Sequence, residues 1–123
     1  MENSTIIIIA LALIALGILQ RALGGSRRAA SAERIKAHLA QGAPVIDVRG
    51  PEEYEMDHYP GARNIPLPVI AQRADELGGK DNPVVLYCNS GARCAVAVAQ
   101  LRKKGYRNVV NAGGLQQLRG IGR

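Results

Sequence analysis

Residues 84–94 read VVLYCNSGARC, and the organisation of the whole chain turns on them. Val84 to Cys88 form a continuous apolar run, the pattern of a short strand buried on both faces. Asn89, Ser90 and Gly91 are small, turn-forming residues. The segment that follows, CAVAVAQLRKK (94–104), carries Ala and Val for an inward face, cations in its last turn and Gly105 as its stop. A buried strand, a tight loop and a helix in direct succession are the building unit of an α/β fold.

Working outward, the same alternation recurs. Ser31 is placed to cap a helix through AERIKAHLAQG, with Ile35 and Leu39 facing inward and His38 on the solvent side. PVIDVR (44–49) reads as a buried strand ending in charge. PEEYEMDH (51–58) opens with Pro at a first-turn position and acids behind it, the pattern of a short helix. YPGARNIPL (59–67) is a turn leading into a brief extended piece, and VIAQRADELGG (69–79) a helix closed by a glycine pair. RNVVNAGG (107–114) is a third strand, and LQQLRGIGR (115–123) a fading last helix. The expectation is a parallel sheet covered by helices on both sides.

The first part of the chain is of another kind. TIIIIALALIALGIL (5–19) is apolar on every face, which a surface helix of a soluble domain cannot be. Extended from Asn3 to Leu23 it is long enough to cross a bilayer, provided Arg21 snorkels to the headgroups. A cleaved signal is the alternative, with ASA (30–32) as the cleavage site and a periplasmic domain as the result. Yet only Glu2 and the terminal amine precede the apolar run, where a signal carries positive charge. Residues 1–25 are therefore read as a single-pass anchor of the inner (plasma) membrane, 26–32 as a short flexible linker and 33–123 as the globular domain. Arg21, Arg27 and Arg28 place that domain in the cytoplasm by the positive-inside rule.

The 123 residues carry a net charge of +6 but no Phe or Trp and four Tyr. Without a basic stripe interleaved with aromatics, nucleic acid is not the expected partner, and small anions fit the charge as well. The two cysteines, Cys88 and Cys94, have no His or Cys pair at zinc-like spacing, and the loop they would close as a disulfide is short. A cytoplasmic domain keeps them as thiols. In an α/β sheet, ligands bind where strands give way to helices. There the N–H groups of Asn89, Ser90, Gly91 and Ala92, with the helix N-terminus, would form an anion cradle. Cys88 at its start would be held as a reactive thiolate, and Arg93 adds a permanent planar charge. The plainer alternative makes Cys88 a buried strand-end residue.

CNSGAR resembles the C-x-x-G-x-R loop of the rhodanese family, the persulfide-forming sulfurtransferases. VIDVRGPEEYEMDHYPGARNIPL is similar to a second signature of that family and GYRNVVNAGGL to a third, so the likeness spans about 45–119. It is closest to the small single-domain bacterial rhodaneses. The resemblance implies about five parallel strands and no metal or cofactor. Cys88 would take a sulfane sulfur from thiosulfate or a similar donor and pass it to cyanide or a cellular thiol. Arg93 would help bind the anionic donor, and Asp47 and Arg49 would support the loop, or else form an ion pair with Glu52 or Glu53. His58 is read as structural. Two departures stand out: Leu115 where the family often has Trp, which weakens the expected packing of the last helix, and Cys94 where Ser or Thr is usual. Cys94 is either a small packing residue or a resolving thiol that attacks the persulfide.

Two other classes compete. Cysteine phosphatases and arsenate reductases use a C-x5-R loop, one residue longer than the loop between Cys88 and Arg93. Docking modules of rhodanese type commonly lose the cysteine that this chain keeps.

Overall fold

The computed structural model describes residues 2–27 and 29–122. It contains helix α1 (Glu2–Arg27), α2 (Ala32–Ala40), strand β1 (Val45–Asp47), α3 (Pro51–Met56), β2 (Arg63–Asn64), α4 (Leu67–Ile70), a 3-10 turn (Ala74–Leu77), β3 (Val84–Cys88), α5 (Ala92–Lys103), β4 (Val109–Gly114) and α6 (Leu115–Ile121). The sheet is parallel throughout, in the order β2-β1-β3-β4.

All five residues of β3 are buried, as its apolar run requires, and alternation divides them between two cores. Val84, Leu86 and Cys88 face the core made with α4, the 3-10 turn and α5, where Ile70, Leu77, Ala97 and Leu101 lie. Val85 and Tyr87 face the core made with α2 and α6, with Ile35, Leu115 and Leu118. Cys88 therefore points to the same side as the helix that follows it.

Four expectations are corrected. The sheet has four strands among the described residues rather than five. Beside edge strand β4 the described residues contribute a backbone bond from Ala30 N–H to the Asn111 carbonyl at 2.7 Å and no fifth strand. His38 is buried, not on the solvent side: its ring nitrogens lie 3.0 Å from the Arg34 carbonyl and 3.1 Å from that of Asn108, so the ring fastens α2 to the approach of β4. The 69–79 segment is not one helix. Its backbone bonding tightens from four-residue spacing at Arg73 to three-residue spacing at Glu76, which turns both Ala74 and Leu77 inward. The last helix packs firmly: Leu118 is fully buried, worth about 2 kcal/mol of apolar burial.

Helix α1 is long and apolar enough to cross a membrane. Residues Glu2–Leu19 have a mean hydropathy of 2.2, and none of that stretch is buried in the protein. A signal sequence would share these properties.

Candidate active site

The loop from Cys88 to Ala92 joins β3 to α5 and is shaped by glycine. Gly91, the residue before α5, has φ +93, a left-handed conformation that side-chain-bearing residues rarely adopt. That turn directs its N–H at the Cys88 sulfur, 3.0 Å away. The thiolate form of Cys88 is further met by the thiol of Cys94 and by the N–H groups of Cys94 and Ser90. The Cys94 thiol is the largest influence, and with the three N–H groups it outweighs burial. The Cys88 pKa is brought down to about 5 from an ordinary value near 9. Cys94 itself, fully buried in the first turn of α5, has its pKa pushed up, first by burial and then by its position as donor to Cys88. Both cysteines are free thiols.

The sheet holds the loop from beneath. Asn111 on β4 donates through Nδ2 to the Gly91 carbonyl (3.0 Å) and accepts from Gly113 N–H through Oδ1 (2.8 Å). Gly114, paired in register with Cys88, lies so close to the loop that a Cβ there would overlap the Asn89 carbonyl oxygen. Neither contact was foreseen in the sequence, although an amide within the apolar run VVNAGG was a signal available there.

Arg93 points to α3. Its Nη1 and Nη2 donate to the two carboxylate oxygens of Glu53 at 2.7 and 3.0 Å, with both side chains about one-third exposed. Glu53 also accepts from Asn89 Nδ2 (3.0 Å) and from Gly50 N–H (3.3 Å). Its pKa falls to about 2, Arg93 being the main cause. Asp47 and Arg49 do not pair with Glu52 or Glu53, the alternative that the sequence left to a loop-supporting role. They pair with each other, both buried, with Arg49 Nε 3.0 Å from each Asp47 oxygen and Nη2 2.7 Å from Oδ2. Arg49 Nη2 reaches the Asp57 carbonyl as well, and Nη1 lies 3.4 Å from Asn89 Oδ1, so this pair supports the loop through Asn89. Ser90 is exposed and Ala92 exposed at the helix start. His58 stays apart from the sulfur, stacked on Tyr54 at 3.9 Å with Nδ1 2.8 Å from the Tyr54 carbonyl. An open cleft of about 310 Å³ lies beside the loop, bordered by Arg49, Glu53, Met56, Asp57, Asn89, Leu115 and Gln116.

A thiolate held by backbone N–H groups at a strand–helix turn, on a four-stranded parallel sheet, defines a class. Residues 31–119 match the rhodanese-like domain, and the chain belongs to that family. Within it, the chain is 43% identical over 74 residues to the thiosulfate sulfurtransferase PspE of Escherichia coli, covering 59% of this chain and 71% of that protein. Among solved structures it resembles a rhodanese with anions from E. coli (TM-score 0.57, 43% identity, 60% of this chain and 88% of the other). It also resembles the human single-domain sulfurtransferase TSTD1 (TM-score 0.64, 26% identity, 75% and 95%). These relatives support sulfur transfer as the general activity.

Proposed function

We propose that the chain is a sulfurtransferase that carries sulfane sulfur on Cys88. The observation that carries this reading is the Cys88 sulfur ringed by the Cys94 thiol and the N–H groups of Ser90, Gly91 and Cys94. With a pKa of about 5 the sulfur is a thiolate at neutral pH, ready as a nucleophile without a general base. Thiosulfate, or a similar donor, is the first substrate, a choice supported by the name of the E. coli relative. The thiolate attacks the outer sulfur of thiosulfate. A new S–S bond forms at Cys88, the sulfur–sulfur bond of the donor breaks, and the electron pair leaves with sulfite. The persulfide then gives its outer sulfur to a thiol or, in the assay, to cyanide, and Cys88 returns as thiolate. The N–H groups of Ser90, Gly91 and Cys94, rather than the run from Asn89 to Ala92 expected from the sequence, face the place where the outer sulfur would rest.

Cys94 is best read as a donor to Cys88 rather than a resolving thiol. Its burial and raised pKa disfavour it as an attacking thiolate, while its proton already points at the Cys88 sulfur. Asp47 and Arg49 hold the loop, and Arg93, paired with Glu53 at the border of the cleft, is the cation assigned to the incoming anion. Helix α1 is read as a membrane anchor with the domain on the cytoplasmic side, supported by its unburied apolar stretch Glu2–Leu19 and by Arg21, Arg27 and Arg28 beyond that stretch.

The experiment is intact-protein mass spectrometry after incubation with thiosulfate. A gain of about one sulfur atom, confined to Cys88 and discharged by cyanide, is expected. A Cys88→Ser variant that still turned over thiosulfate would defeat the reading.

A further inference from the structure

Among the described residues, the guanidiniums of Arg49, Arg93 and Arg119 near the loop each have a carboxylate partner. Buried Arg49 has buried Asp47, Arg119 has Asp57 (Nη1 to Oδ2 2.8 Å), and Arg93 has Glu53. The N–H groups of Ser90, Gly91 and Cys94 and the Cys94 thiol already face the Cys88 thiolate. Among the described residues, a doubly charged donor thus meets paired charges next to a thiolate. The carboxylate best placed to give way is Glu53, since Asp47 is fully buried and Asp57, which borders the same cleft, pairs with Arg119 of α6 rather than with a residue of the loop. Glu53 also borders the cleft through which a donor would reach the loop, and is tied to it through Asn89.

We infer that Glu53 is a charge filter for the sulfur donor, holding Arg93 occupied so that singly charged thiosulfonates and persulfides are taken in preference to dianions. This rests on the sulfurtransferase reading above. A dianion must trade places with the Glu53 carboxylate on Arg93 or remain beside it; a singly charged donor of the same shape meets one charge less of that repulsion. The bond changes of the first step are the same for both donors. Sulfite leaves in one case and a sulfinate in the other.

The test compares thiosulfate with methanethiosulfonate, which replaces one oxyanion by a methyl group, using the detergent-solubilised full chain and cyanide as acceptor. Glu53→Gln keeps an oxygen for Gly50 N–H but removes the charge. It should raise kcat/KM for thiosulfate relative to methanethiosulfonate by about tenfold, the worth of removing one unit charge from beside another at a partly exposed site. A structural role would lower both donors together, so a change in the ratio below threefold overturns the inference. Should that variant fail to fold, the wild-type protein decides: added salt should raise the same ratio by screening Glu53, and a flat or falling ratio overturns it. Persulfide formed on Cys88 from both donors with no change in the ratio would sink the filter alone. Its absence with both would remove the sulfurtransferase reading and the filter with it.

Discussion

Removing the Cys94 thiol should make Cys88 a weaker acid by a definite amount. In Cys94→Ala the three backbone donors from Ser90, Gly91 and Cys94 remain, while the side-chain donor that contributes most to the low pKa is lost. A hydrogen bond to a charged group is worth about 1.5–3 kcal/mol, which corresponds to about one to two pH units. The Cys88 pKa should therefore rise from about 5 to between about 6 and 7. Cys94→Ser, with a hydroxyl in the same place, should stay close to the parent. The assay is the pH dependence of Cys88 alkylation by iodoacetamide, with turnover at limiting donor in parallel. Because the thiolate is the reactive form, both rates rise with pH through the Cys88 pKa. The acid limb should move to higher pH in the alanine variant and return in the serine variant. A Cys94→Ala limb within 0.3 pH unit of the parent would refute the reasoning and reopen the role of Cys94. The stability linkage has the same sign: a cysteine with a depressed folded pKa stabilises the fold above its unfolded value near 9, and loses that contribution as pH falls through about 5.

Other outcomes are expected. Gly114→Ala should lower kcat/KM at least tenfold with the fold retained by circular dichroism, because its Cβ displaces the Asn89 carbonyl and with it the loop. Arg49→Met, which strands Asp47 in the interior, should cost about 3–5 kcal/mol in urea unfolding, and the Asp47→Leu, Arg49→Met double variant should recover much of it. The full chain should sediment with membranes and resist an alkaline wash; release by that wash would argue against the anchor.

The central unit was legible because its signals are local. The run VVLYC, the glycine turn and the small-residue helix are each read within a dozen residues, and β3, the loop and α5 lie where they point. What escaped depends on partners far along the chain. His38 is buried because Asn108, 70 residues away, offers a carbonyl to it. Arg93 meets Glu53 across 40 residues, and Asn111 reaches Gly91 across 20. The fifth strand came from the resemblance alone. Hydrophobic period has no means of stating which polar group closes on which, since that is decided by the register of β1, β3 and β4.

The bond from Ala30 to Asn111 has a geometric consequence. Helix α1 runs to Arg27, and three residues later the backbone is already fastened to the strand that holds Gly91. Three Cα steps span at most about 11 Å. If the apolar span Glu2–Leu19 sits in a bilayer, the eight further residues of α1 add about 12 Å to that reach, so the domain is moored within about 23 Å of the point where the span ends. Sulfur would have to be delivered to it and collected from it close to the membrane face, and the chain leaving α1 is fastened at Ala30 to Asn111, the residue that holds the Gly91 carbonyl.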